Sequence, residues 1–123
     1  MMLQIRQLYK TYRKFVALDH IDLDVAEGDI FGFVGPTGAG KTTTMRILAT
    51  LMPPTGGAAF IDGISVTENP RAIRKIIGYM PDFFGVYDDL KVHEYLDFYS
   101  RCAGLSYKEG KKNSDELLEL VYL

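Results

Sequence analysis

The chain has 123 residues, 47% hydrophobic and 12% aromatic, which is the length of one ordinary domain with enough apolar material for a core. Fourteen Lys and Arg against sixteen Asp and Glu leave a formal net charge of −2, so no positive field draws it onto nucleic acid or anionic lipid. The opening Met1-Met2-Leu3-Gln4-Ile5-Arg6 lacks the basic segment and apolar block of a secretion signal, and the longest charge-free stretch, residues 47–61, is too short and too broken by prolines and glycines to cross a bilayer.

In chain order, Leu3 and Ile5 alternate with polar neighbours, as do Ile21, Leu23 and Val25, so both stretches read as half-buried strands. Glu27-Gly28 supplies a turn into Asp29-Ile30-Phe31-Gly32-Phe33-Val34, which is apolar on both faces and predicts a strand of a parallel sheet covered on both sides. From Lys41 the period becomes helical, with Met45, Leu48, Ala49 and Met52 on one stripe and Pro53-Pro54-Thr55-Gly56 as the stop. Ala58 to Ile61 reads as a short strand closed by the turn pair Asp62-Gly63. Asn69 and Pro70 read as the cap and first residue of a brief helix with Ile73, Ile76 and Ile77 on one face and Gly78 as its stop. Val92, Tyr95, Leu96, Tyr99 and Cys102 predict an amphipathic helix to Gly104, and the lone Cys102 reads as a small buried hydrophobe. Residues 104–113 read as a loop, after which Ser114 caps a helix with Leu117, Leu118 and Val121 on its apolar side.

Gly35-Pro36-Thr37-Gly38-Ala39-Gly40-Lys41-Thr42 fits the pattern G-x-x-x-x-G-K-[ST], set between an expected strand and an expected helix. Gly38 and Gly40 let successive N–H groups turn inward toward the phosphates of a nucleotide, and the helix beginning near Lys41 adds its positive end. Lys41 reaches the terminal phosphates as a point charge, and the Thr42 hydroxyl ligates Mg²⁺. ATP and Mg²⁺ are the expected ligands.

The run Gly-Pro-Thr-Gly-Ala-Gly-Lys-Thr-Thr-Thr, preceded by Ala17-Leu18-Asp19-His20-Ile21-Asp22-Leu23 and by Glu27-Gly28-Asp29-Ile30-Phe31-Gly32, closely resembles the nucleotide-binding subunits of ATP-binding-cassette transporters. The resemblance runs over the whole chain and covers roughly the first half of such a domain. It implies an α/β fold: a P-loop NTPase-type sheet flanked by helices, with a small antiparallel β subdomain at about residues 1–30, the phosphate loop and core at 31–80, and a loop with the start of a helical subdomain at 81–123. The implied nucleotide-binding residues are Tyr12, Gly35, Thr37, Gly38, Ala39, Gly40, Lys41, Thr42 and Thr43. Tyr12 matches the aromatic that stacks on adenine. Ile77-Gly78-Tyr79-Met80-Pro81 is similar to the strand entering the family's Gln loop, but Asp82 stands where a glutamine touches Mg²⁺; it is either a metal ligand beside Thr42 or a solvated loop residue. Phe83, Phe84, Val86 and Tyr87 either pack locally or meet a partner, which in the family is the membrane-spanning subunit. His20 and His93 match no catalytic position, and the family's signature sequence, acidic motif and switch histidine do not occur in these residues.

The expected function is ATP binding as the energy-coupling ATPase subunit of an export-type transporter. That subunit would lie on the cytoplasmic face of the membrane, against a permease subunit and head-to-tail with a second ATPase subunit. The alternatives are a soluble relative acting without a membrane partner, a different phosphate-loop enzyme, and a nucleotide-binding fragment without turnover. No catalytic residue is assigned within this chain.

Overall fold

The alternating residues near both ends of the first stretch become two long strands, β1 (Leu3–Tyr12) and β2 (Phe15–Val25), in the computed structural model, which describes residues 2–123. They form an antiparallel hairpin with Tyr12 opposite Phe15 and Leu3 opposite Val25, and Arg13 in the connection takes a φ of 54°. The ladder is irregular midway, where Gln7 and His20 both have a φ of 45°. At that irregularity the Asp22 carboxylate replaces a ladder acceptor, receiving the Gln7 backbone N–H at 2.8 Å and also the Gln7 side-chain amide. Strands β3 (Gly56–Ile61) and β4 (Ile64–Ser65) extend the sheet to the order β2-β1-β3-β4, antiparallel throughout. Asp62 and Gly63 join them as expected, with φ values of 49° and 73° that suit a two-residue hairpin turn.

Helices α1 (Lys41–Leu48) and α2 (Pro70–Ile76) place Ile47 and Ile73 in a core with Ile5, Leu8, Leu18, Ala59 and Val66. Of the stripe predicted for α1, Leu48 and Met52 pack against the core and Ala49 is buried, but Met45 is 44% exposed and Thr44 and Ile47 are the buried residues of the helix itself. The helix also stops before the prolines. Thr50, at a φ of 62°, closes it with Thr50 N–H on the Ile47 carbonyl at 3.0 Å and Leu51 N–H on the Arg46 carbonyl at 2.9 Å. Arg74 of α2 donates to the Thr50 hydroxyl at 2.8 Å, which ties the two helices together.

Residues 29–34 correct a second expectation, because they belong to no strand, with Ile30 103% and Val34 91% exposed. A run apolar on both faces becomes a strand only when neighbours supply the ladder, and among the described residues no strand pairs with it. Residues 77–81 are likewise outside the sheet.

The chain divides into two compact units, one ending at Tyr79 and one spanning Met80–Leu123, and the four-stranded sheet lies in the first. The second unit holds α3 (Val92–Cys102) and α4 (Tyr107–Leu120), which cross closely at Gly110, where a Cβ would lie 2.8 Å from the Ser100 Cβ. Helix α4 starts inside the segment expected to be a loop. Its cap is Ser106, whose hydroxyl accepts from Glu109 N–H at 3.3 Å while the Glu109 carboxylate accepts from Ser106 N–H at 2.9 Å. The Ser106 hydroxyl and backbone hold the Glu109 carboxyl below its ordinary range. Ser114 is therefore no cap: it is buried mid-helix and donates to the Gly110 carbonyl at 2.7 Å. Cys102 is exposed, not buried, at the end of α3, a helix none of whose residues is fully buried. Among the described residues no helix is long and apolar enough to cross a membrane.

Candidate phosphate-binding site

The segment before α1 is shaped by backbone conformations that favour glycine. Gly38 and Gly40 take φ values of 85° and 91°, and Ala39 N–H donates to the Pro36 carbonyl at 3.1 Å, closing the loop on itself. Gly40 is the N-cap residue of α1, and no side chain caps that end. No acidic residue stands in the first turn either, so the free N–H donors there face no competing carboxylate. A Cβ on Gly40 would meet the Ala17 carbonyl oxygen at 2.7 Å, so the loop lies directly against β2.

The Lys41 ammonium folds back over this loop, donating to the Pro36 carbonyl at 2.7 Å and to the Gly35 carbonyl. The Thr44 hydroxyl donates to the Gly40 carbonyl at 2.8 Å and helps anchor the first turn. Thr37, Gly38, Gly40, Lys41, Thr42 and Thr43 line a cleft of about 290 Å³, and Gly35 and Ala39 sit in the same loop. Gly35, Thr37, Gly38, Ala39, Gly40, Lys41, Thr42 and Thr43 are thus brought together.

Two further lining residues, Phe15 and Ala17, were not anticipated. They alternate along β2 and so share one strand face, a spacing legible in Phe15-Val16-Ala17. Tyr12 is outside the lining. Its hydroxyl donates to the Met52 sulfur at 3.3 Å and the Lys10 ammonium lies 5.2 Å from its ring centroid.

Asp82 is exposed and belongs to the second unit, whereas Thr42 belongs to the first. Among the described residues no three His, Cys, Asp or Glu side chains gather as a metal-binding set. A hard cation is still compatible with the cleft, because Mg²⁺ takes few protein ligands and keeps water and phosphate oxygens, and the exposed Thr42 hydroxyl is such a single ligand. In the second unit Phe84 meets the Tyr99 ring with centroids 6.1 Å apart and Tyr87 N–H donates to the Tyr95 hydroxyl, so part of the apolar loop packs locally. Phe83, Val86 and Tyr87 keep exposed side chains. His20 stacks on Tyr9 with centroids 4.5 Å apart, and His93 is exposed on α3.

A family model described as ABC transporter matches residues 18–122. A probable multidrug ABC transporter ATP-binding protein of Escherichia coli is 38% identical over 84% of this chain and 18% of its own length. A Nod factor export ATP-binding protein of Cupriavidus metallidurans is 36% identical over 98% of this chain and 40% of its own. The solved dimeric ATP-binding cassette MJ0796, in a post-hydrolysis state bound to ADP and Pi, superposes with a TM-score of 0.83 at 27% identity, covering 99% of this chain and 58% of that one. The chain therefore spans less than half the length of these two curated relatives.

Proposed function

This chain belongs to the ABC transporter family, and on that premise we propose that its phosphate loop holds Mg-ATP for the energy-coupling ATPase subunit of an export-type transporter. The observation that carries this reading is the convergence of the uncapped first turn of α1, the left-handed Gly38 and Gly40, and the Lys41 ammonium on one cleft. Mg²⁺, when bound, would neutralise charge on the phosphates, and Thr42 is the residue that would hold it. Export is the direction that the name of one relative, the Nod factor export ATP-binding protein, supports. The proposed partners are a permease subunit, met through exposed Phe83, Val86 and Tyr87, and a second ATPase subunit, with the assembly on the cytoplasmic side of a membrane.

One observation favours binding without turnover for these residues by themselves. No carboxylate and no imidazole lines the cleft among the described residues, so it offers no ordinary general base to activate water. Lys41, Thr42 and the backbone donors stabilise bound nucleotide and transition state alike, which lowers the barrier little. Calorimetric titration of the purified 123-residue chain with Mg-ATP should show saturable binding, and a phosphate-release assay on the same sample should stay at the buffer rate. Absence of binding would remove the proposal. Steady release abolished by Lys41→Ala would show that the chain holds its own water-activating group.

Tyr12 is proposed to stack on the base, its present contacts to Met52 and Lys10 being exposed and easily exchanged. Tyr12→Ala should weaken ATP binding by about 1–3 kcal/mol, as for other base–aromatic contacts, and Tyr12→Phe should not. An alanine variant with parental affinity would reduce Tyr12 to a strand-end residue.

A further inference from the structure

Helix α1 has the phosphate loop at its first end and Thr50 just past its last, and the two ends are held in different ways. At the first, Gly40 lies against the Ala17 carbonyl of β2. Between them Thr44 and Ile47 are buried, and Ile47 joins the core. At the last, the chain leaves the helix through Thr50 at a φ of 62°, a conformation that β-branched residues rarely adopt and that persists only where surrounding contacts fix it.

Packing alone does not fix it. A cleft of about 210 Å³ lies between this end of α1 and the start of α2, with Ile47, Thr50, Leu51, Val66, Pro70 and Arg74 in its lining. The Arg74 guanidinium spans the gap. It donates through Nε to the Thr50 hydroxyl at 2.8 Å and through Nη2 to the Thr50 carbonyl at 3.4 Å, and two bonds from one planar fork set orientation as well as distance. Among the described residues no other hydrogen bond joins this end of α1 to α2.

The geometry amplifies whatever happens there. With Ile47 as the buried pivot and a rise of about 1.5 Å per residue, Thr50 lies about 4.5 Å along the axis on one side and Lys41 about 9 Å on the other. A tilt that moves Thr50 therefore moves the first turn roughly twice as far, and misplacement on the order of 1 Å is costly in a site built from aimed donors. We propose that Arg74 is a positioning residue for the phosphate site, which acts through α1 by holding Thr50 and so setting where the first turn points its N–H groups and Lys41. The inference rests on the nucleotide reading of the cleft, and Arg74 itself lies outside that cleft's lining.

Mg-ADP and inorganic tripolyphosphate are titrated against the parent chain and against Arg74→Ala, Thr50→Val, Thr50→Ser and Lys41→Ala, with far-UV circular dichroism confirming that each variant is folded. Arg74→Ala should weaken both ligands by the same factor, roughly 3- to 30-fold, because misaimed donors act on phosphate alone. Thr50→Val, which keeps the shape and removes the hydroxyl, should weaken both in the same direction, and Thr50→Ser should bind like the parent. Combining Arg74→Ala with Thr50→Val should bring no further loss, since the two residues share one contact. In nuclear magnetic resonance spectra of the nucleotide-free protein, Arg74→Ala should shift the amide signals of Gly40, Lys41 and Thr42 at the opposite end of the helix. A clamp that serves the fold alone would lower the melting temperature and leave affinity and those three signals at parental values, which would overturn the proposal. Losses that add in the double variant would overturn it too. Should Arg74→Ala fail to fold, Thr50→Val carries the comparison, and parental affinity in that variant overturns the proposal. Lys41→Ala reports on the cleft itself: parental affinity for both ligands there would overturn the nucleotide reading, whereas an unchanged Arg74→Ala beside a weakened Lys41→Ala removes only the positioning role.

Discussion

Lys41→Ala is expected to weaken Mg-ATP binding by roughly 10- to 100-fold, the equivalent of losing one or more charge-assisted hydrogen bonds. The ammonium is already held over the loop by the carbonyls of Gly35 and Pro36, so little side-chain freedom remains to be lost when phosphate arrives. On binding, it exchanges neutral carbonyl acceptors for anionic oxygens, which raises the strength of each bond. The alternative, that the backbone donors and the end of α1 do most of the work, predicts only a few-fold loss, because a helix terminus contributes about 0.3–1 kcal/mol at an exposed site. Lys41→Arg should recover little, since a planar fork does not fit a position shaped for a point charge between two carbonyls. Stability should change slightly, as both carbonyls lie in the exposed loop and can turn to water. Titration of the folded variant decides it: parental affinity would remove Lys41 from the site.

The phosphate loop was legible in the sequence because its requirements are local. Left-handed φ at Gly38 and Gly40 and a lysine one residue later can be read without knowing what surrounds them. The Asp62-Gly63 turn was readable for the same reason. Residues 29–34 were not, because apolar character on both faces states a need for neighbours and cannot supply them. The burial of α1 was misjudged since Met45 and Thr44 are adjacent on the helix, and only the position of the sheet decides that the smaller polar residue turns inward. The start of α4 was readable and missed: Ser106-Tyr107-Lys108-Glu109 is a capping box inside the segment read as a loop, and Gly110, just after it, is the residue at which α4 approaches Ser100. Phe15 was passed over because a phenylalanine at a strand start ordinarily serves the core, and its exposure depends on where the loop lies.

Gly57→Ala is expected to be the most destabilising small substitution in the first unit. The residue has a φ of 78°, so any L side chain is strained there by about 1–2 kcal/mol before contacts are counted. The contacts are worse. A Cβ would lie 2.1 Å from the Gln7 carbonyl oxygen and 2.6 Å from the Leu8 Cα, both backbone atoms of β1, the strand between β2 and β3. That is where the β1–β3 register shifts between Arg6 and Tyr9, so the two strands meet at an irregularity with no slack in the ladder. Separating them would disturb Leu8 and Ala59, both in the core, and overpacking of this kind costs typically 1–3 kcal/mol more. A total of roughly 2–5 kcal/mol corresponds to a fall in melting temperature on the order of 10–40 °C for a unit of this size. Gly56 is the internal control. A Cβ there would strike the Tyr9 ring at 2.1 Å, but Tyr9 is a side chain whose other face stacks on His20, and it can rotate away at the expense of that stack. Gly56→Ala should therefore cost clearly less than Gly57→Ala in thermal unfolding followed by circular dichroism. If the two variants melt together, or Gly57→Ala melts within about 2 °C of the parent, the backbone approach at the β1–β3 irregularity does not constrain the sheet.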